Sequence, residues 1–260
     1  MKKIYLAALT LAMTACVSND DLNPVDNYGY IDVNVSNNPV MVTRAEQDVK
    51  DLSGWTITAE KGTEIHNLNH SNIVPAGTYT VKVKSHDNET TANTTNTYGQ
   101  AYYEGSVSGI VVSAGATATP TVDCKKAKNS MLTLVNNTTI DETTPQLFTD
   151  ISLNASSSNR NLKLTETNPS AFYSKGTDVE YNITYKYNGG ELQTLNNNGQ
   201  NFTIKIDNEA TNYQIILSSN TNGKISVTIK YDNTFANVES NTITFDAATG
   251  EKVTTPSQGE

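Results

Sequence analysis

Tyr181-Asn182-Ile183-Thr184-Tyr185-Lys186-Tyr187-Asn188-Gly189-Gly190 is the stretch whose reading decides the fold. Apolar and polar side chains alternate strictly through Tyr187, which is the period of a strand with one buried face. Asn-Gly at its end supplies the two left-handed residues that a two-residue hairpin turn needs. The same period spreads outward along the chain. Phe202, Ile204 and Ile206 alternate, as do Tyr213, Ile215 and Leu217, which run to the turn residues Asn220-Thr221-Asn222-Gly223. Ile225, Val227, Ile229 and Tyr231 follow, and Ile243 and Phe245 close the pattern. Upstream, Met131-Leu132-Thr133-Leu134-Val135 begins this half, with short strands at residues 150–154 and 162–165 around a loop at 155–161. Strands at this spacing, separated by turn residues and with no helix of ordinary length, argue a β-sandwich.

The first half carries the same signature more weakly. Ile31, Val33 and Val35 face one way and Asp32 and Asn34 the other. Asn38-Pro39 breaks that strand, and a charged connection holding Thr43-Arg44-Ala45 follows. Residues 54–59 alternate again, with Trp55 facing in. Pro75-Ala76-Gly77 reads as a turn before a strand in which Tyr79, Val81 and Val83 line one face. Residues 87–97 form a low-complexity Asn/Thr loop, and Tyr102, Tyr103 and residues 104–112 give a further strand or pair. The chain is therefore expected to be all-β, with two β-sandwich domains at residues 28–126 and 127–248 and a polar tail at 249–260.

The 260 residues carry a formal charge of −9, which becomes −11 without residues 1–15, whose charged residues are Lys2 and Lys3. That balance excludes nucleic acid as a partner and adsorption to anionic lipid by charge alone. The two cysteines are Cys16 and Cys124. With Cys16 modified, no disulfide can form within the chain, and Cys124, on the same face as Val122, reads as a buried structural thiol. His66 and His70 have a metal-like spacing only on a helix, and here they sit in polar, irregular sequence before a Pro-Gly turn. They and His86 read as solvated loop histidines. No calcium loop, nucleophile elbow or phosphate-cradling glycine loop occurs. The expectation is therefore no enzyme, no metal and no cofactor. Tyr98, Tyr102 and Tyr103, beside the Asn/Thr loop, are candidate ligand-facing aromatics, because tyrosine offers large contact area at low entropy cost; the competing reading alternates the pair and puts one ring in the core.

The N-terminus has its own logic. Lys2 and Lys3 precede an apolar run at residues 4–13, then the small residues Thr14 and Ala15, then Cys16. This is the layout of a secretory signal peptide, and the run is about half the length of a membrane span. A cysteine directly after the small residues resembles a bacterial lipoprotein signal, which implies cleavage after residue 15 and a lipid on Cys16. Residues 16–27 then form a polar linker, in which Ser18-Asn19-Asp20-Asp21 resembles a surface-export signal of gut Gram-negative anaerobes. The expected location is the outer membrane, exposed at the cell surface and held through lipid on Cys16.

Taken in order, the signal, Tyr28-Gly29-Tyr30, Thr43-Arg44-Ala45, Trp55, Pro75-Ala76-Gly77-Thr78-Tyr79, Tyr102-Tyr103-Glu104-Gly105 and Cys124-Lys125-Lys126-Ala127 resemble an uncharacterised lipoprotein domain family of those anaerobes. That family is similar in plan to fimbrillins, and the Pro-x-Gly-x-Tyr-x-Val pattern recurs in transthyretin-like modules. The resemblance covers residues 28–134. It implies a lipid-anchored surface protein, fimbrial or adhesin-like, without catalysis, whose partners are other fimbrial subunits or a host or glycan ligand. In fimbrillin-like assembly a protease cuts after an arginine behind the first strand, and a neighbour's strand fills the groove left behind. Arg44 occupies that place and is the candidate processing site. Residues 249–260 offer only Val253 as an apolar anchor before Pro256, so a tip, anchor or accessory component is expected rather than a propagating subunit. The alternatives are a carbohydrate- or polymer-binding lipoprotein of a nutrient-uptake system and a structural envelope lipoprotein.

Overall fold

The computed structural model describes residues 27–36, 52, 54–94, 97–138, 147–158, 160–195, 197–219, 224–232 and 240–253. The leader, Cys16 and Arg44 lie outside the described residues. The first half holds β1 (Tyr28–Ile31), β2 (Asn34–Ser36), β3 (Thr56–Lys61), β4 (Glu64–Asn67), β5 (Ile73–Pro75), β6 (Gly77–Lys84), α1 (Glu89–Thr94), β7 (Glu104–Val112), β8 (Thr117–Ala118) and β9 (Thr121–Asp123). The second holds β10 (Ser130–Asn137), β11 (Phe148–Ser157), β12 (Arg160–Leu164), β13 (Ser170–Tyr173), β14 (Asp178–Tyr187), β15 (Leu192–Thr194), β16 (Phe202–Lys205), β17 (Asn212–Ser219), β18 (Lys224–Asp232) and β19 (Ser240–Asp246).

The expected all-β sandwich class is what the chain adopts. In the first half one layer is the antiparallel sheet β4-β3-β6-β7. The facing layer is built on β1 and β2, which pair in parallel with β8 and β9, while β5 pairs antiparallel with β1 on the other side. Alternation places Ile31 inside, with Val33 and Val35 packed behind it, against Val74, Tyr79, Val81, Val83 and Val122. Gly29 lets β1 lie flat on the end of β7, since a Cβ there would sit 2.6 Å from Val112 Cγ1 and 2.9 Å from the Ala116 carbonyl oxygen.

In the second half β13-β10-β17-β18-β19 faces β12-β11-β14, which carries β15 and β16 on its far side. Leu132, Leu134, Ile215, Leu217, Val227 and Phe245 from one sheet meet Leu153, Leu164, Tyr181, Ile183, Tyr185 and Ile204 from the other. Burying each such aliphatic side chain contributes about 1.5–3 kcal/mol. The opening stretch folds as its pattern dictates. Asn188 and Gly189 take φ of 51° and 71°, and Gly190 N–H donates to the Tyr187 carbonyl at 2.9 Å. That turn sends the chain from β14 back into β15.

Four readings need correction. Residues 155–157 are strand and not loop, because β11 and β12 form a long hairpin with Ser157 opposite Arg160. Within the Asn/Thr stretch lies α1, started by the Asn88 side chain accepting from Thr91 N–H at 2.9 Å, which is an N-cap. Gly77 has a φ of 158°, nearly extended, and opens β6, so the Pro-Ala-Gly step is a bend between two strands. The tail does not begin at residue 249. Lys252 pairs with Phe245, and Val253 N–H donates to the Thr244 carbonyl at 2.8 Å.

The sheets change hands between Ala127, which packs in the first core, and Ser130, where β10 begins. The halves are not closed off from each other, because α1 and Tyr98 come from the first half and pack on the second.

Candidate functional site

The three tyrosines singled out in the sequence do not form a ligand-facing platform. Tyr102 and Tyr103 are 4% and 8% exposed, and Tyr98 is half-buried against the second core. Tyr103 stacks on Trp55 at 5.9 Å between ring centres, inside the first sandwich. The Tyr102 hydroxyl donates to Glu104 at 3.0 Å, and burial raises its pKa well above the ordinary phenol value. The Tyr98 hydroxyl donates to the Lys163 carbonyl at 3.2 Å, and its own carbonyl accepts from Phe172 N–H at 2.9 Å. Adjacent residues 102 and 103 are both buried because the Tyr103 ring enters the first core while Tyr102 is covered at the polar junction, with its N–H on Asn129 and its hydroxyl on Glu104. Strand alternation cannot anticipate that.

These residues border a polar junction centred on Asn129. Its side-chain oxygen accepts from Tyr102 N–H at 2.9 Å, and its amide nitrogen donates to Asn93 Oδ1 and the Gln100 carbonyl, both at 2.8 Å. Asn93 in turn donates to Ser174 Oγ at 2.8 Å and, through its carbonyl, accepts from Arg160 Nη1 at 2.6 Å. The Arg160 guanidinium lies 4.4 Å from the centre of the Tyr173 ring. Arg160 is thereby committed to holding α1 against the second sandwich. The junction is a fastening in which the Asn93 and Asn129 side chains are matched to partners, while Arg160 Nη2 and the Tyr173 hydroxyl beside them are buried without a hydrogen bond among the described residues.

The other titratable candidates are also placed structurally. Cys124 is buried, and its thiol is pushed up to about 11 by burial, with Asp123 and Glu104 adding to the effect. The histidines are not all loop residues: His66 lies on β4, edge-on to the Tyr79 ring at 5.8 Å, and His86 bonds Ser85 and Gln100 at 3.0 Å each. His70 is exposed. Among the described residues no group of three or more His, Cys, Asp and Glu converges, and no helix is long and apolar enough to cross a membrane.

What the structure does present is the outer face of β1. Tyr28, Tyr30 and Ile73 are 43%, 40% and 49% exposed. Tyr28 and Tyr30 project from the same side of β1, and Ile73 on β5 is directly opposite Tyr30. Exposed Thr117 on β8 flanks Tyr30 on the other edge. Asp32 continues the row, and Asn72 Nδ2 donates to its Oδ1 at 2.8 Å. The sequence held the signal for this face: if Ile31, Val33 and Val35 point in, Tyr28 and Tyr30 must point out.

A family model described as a domain of unknown function (DUF4493) matches residues 25–252, and so spans both sandwiches. No curated protein sequence matches the chain. Among solved structures it is similar to a candidate cell adhesion protein from Bacteroides uniformis ATCC 8492, with 9% identity, a TM-score of 0.42, and coverage of 86% of this chain and 100% of that one. It is also similar to one from Bacteroides ovatus ATCC 8483, with 11% identity, a TM-score of 0.38, and coverage of 82% and 97%. A third, from Bacteroides eggerthii DSM 20697, has 10% identity, a TM-score of 0.37, and coverage of 77% and 88%.

Proposed function

The chain belongs to the DUF4493 family, and from that premise we propose that it is a lipid-anchored cell-surface binding protein of adhesin type, a fimbrial tip, anchor or accessory component without catalytic activity. The observation that carries the reading is the setting of the first strand. β1 is held on both sides, by β5 and β8, and β2 on one side, by β9. Ile31 N–H donates to the Asn72 carbonyl, while Tyr30, Asp32 and Asn34 donate to the carbonyls of Ala116, Ala118 and Pro120, all at 2.9 Å. A strand so placed, followed in sequence by Arg44, is one whose removal opens a groove with two free edges over the Val74 and Val122 core. Such a groove accepts a partner's strand by main-chain pairing.

Residues 249–260 make a poor donor strand for that exchange. Val253 is the one apolar anchor in residues 249–260, and its N–H is already bonded to Thr244. On this reading the groove receives a strand and residues 249–260 do not supply one. Cys16 supplies the membrane attachment and the exposure outside the cytoplasm.

The test is an arginine-specific protease applied to purified mature protein at high concentration. Cleavage at Arg44 with retention of the monomer is expected. Homopolymer ladders after cleavage would refute the non-propagating role, and an intact Arg44 in folded protein would refute the acceptor role. Immunoelectron microscopy of intact cells with antibody to the sandwiches should place label on the outer surface; label confined to the periplasm would refute the surface reading.

A further inference from the structure

We propose that the outer face of β1, formed by Tyr28, Tyr30 and Ile73 with the Asp32–Asn72 pair beside them, is a binding site for a neutral glycan; this rests on the reading of the chain as a surface binding protein and names its ligand class.

The argument begins with spacing. Residues two apart on a strand are separated by about 6.8 Å, so the rings of Tyr28 and Tyr30 form a row along β1. The face of an aromatic ring is the negative end of its quadrupole. The C–H bonds on one side of a sugar ring are polarised positive by the neighbouring oxygens, so they stack on that face. Ile73, opposite Tyr30, widens the row with apolar surface.

A sugar also presents hydroxyls at its edge, and the rim of this face answers them. The Asp32 carboxylate uses Oδ1 to accept from Asn72 and keeps acceptor capacity on its second oxygen. Asn72 keeps an amide oxygen and a second N–H, and Thr117 adds a hydroxyl on the far edge. Acceptors and donors thus flank a stacking surface on both sides.

Charge and area narrow the ligand. Asp32 is the charged residue among the described residues of the face, and the whole chain is acidic at −9, so sulfated or carboxylated polymers are repelled and a neutral glycan is favoured. A protein partner fits poorly. Each of these side chains offers on the order of 100 Å², and three of them fall well short of the roughly 800 Å² per partner of a stable protein interface.

The test uses the purified mature chain and affinity electrophoresis in gels holding soluble α-mannan, β-glucan or galactan. Retardation by at least one neutral polymer is expected, with a dissociation constant raised at least tenfold by Tyr30→Leu and more by Tyr28→Leu/Tyr30→Leu. Leucine keeps the apolar area and removes the ring, so the fold is preserved, as an unchanged circular dichroism spectrum should verify. Asp32→Asn should weaken binding without abolishing it, and Leu192→Ala, on a remote exposed site, should leave it unchanged. Absence of retardation by every polymer would overturn the proposal, as would retardation that survives the double variant. Concentration-dependent dimerisation lost in the double variant, without polymer binding, would also overturn it and assign the face to a second copy. Because the measurement is made on isolated protein, it can fail while the surface location stands, and the reverse.

Discussion

Asn129 is the single residue whose loss should most damage the link between the sandwiches. Asn129→Ala deletes three hydrogen bonds, two of them buried and the one to the Gln100 carbonyl half-buried. It leaves Tyr102 N–H, the Gln100 carbonyl and Asn93 Oδ1 without these partners, around a cavity the size of an amide. Each buried orphan costs about 1–3 kcal/mol. A water admitted to the cavity can satisfy some of them, so the expected loss is about 3–5 kcal/mol. Asn129→Asp sharpens the test. The new carboxyl can still accept from Tyr102, but its second oxygen faces two acceptors at the 2.8 Å positions where the amide donated. Only the protonated acid can donate there, so folding raises the carboxyl pKa above its unfolded value of about 3.9. The penalty is therefore small below that unfolded value. It grows as pH rises through it, and levels off above the folded pKa. Urea denaturation followed by circular dichroism and Trp55 fluorescence should rank wild type above Asn129→Ala and Asn129→Ala above Asn129→Asp at pH 7. The deficit of Asn129→Asp relative to wild type should shrink at pH 4. A loss under about 1 kcal/mol for Asn129→Ala, at the low end for one orphaned group, would refute the assignment of Asn129 as the fastening. So would an Asn129→Asp deficit that does not change with pH.

The Cys124 thiol, buried and pushed up to about 11, should resist iodoacetamide at pH 8 in folded protein and react fully in urea; stoichiometric labelling of the native state within minutes would contradict its placement. Gly29→Ala should lower stability by about 1–3 kcal/mol through overpacking, because the added methyl meets Val112 and Ala116; a wild-type denaturation midpoint would mean β1 does not press on β7. Cys16→Ala should move the protein from the membrane to the soluble fraction in detergent partitioning, and persistence in the membrane would refute lipid attachment at that sulfur.

Alternation made the second sandwich legible. Tyr181, Ile183 and Tyr185 are buried as their period requires, and Asn188-Gly189 makes the turn its residue types demand. Cys124 beside Val122 was equally readable, since both face the first core. What alternation could not reveal lies where chain segments leave their own sheet. Thr and Asn are weak helix formers, so α1 has no propensity signal beyond the Asn88 cap; it persists because Ala92 and Asn93 are buried and Asn93 is bonded to Ser174 of the second sandwich. Tyr102 and Tyr103 break the period-two rule because Tyr103 enters the first core while Tyr102 is buried at the Asn129 junction. The tyrosines chosen from local sequence thus turned out to fasten the molecule. The exposed pair, Tyr28 and Tyr30, follows from the inward alternation of Ile31, Val33 and Val35 but has no local mark of its own in the sequence.

The position of β1 makes its two proposed roles exclusive within one molecule. If Cys16 carries the proposed lipid, Tyr28 follows the anchor by a linker that spans at most about 43 Å when fully extended, and the aromatic face of the uncleaved protein would be confined close to the membrane. Glycans within that reach belong to the cell's own surface or to polymers already delivered there. Cleavage after Arg44 would separate the segment carrying Tyr28 and Tyr30 from the rest of the sandwich and leave an open groove in its place. Glycan binding and strand acceptance are then successive states, one before processing and one after. The polymer retardation expected of intact protein should vanish on treatment with the arginine-specific protease, in step with the appearance of the cleaved chain and with the capacity to bind a donor strand. If cleaved and strand-filled protein kept full polymer affinity, the site would have to lie on some face other than β1.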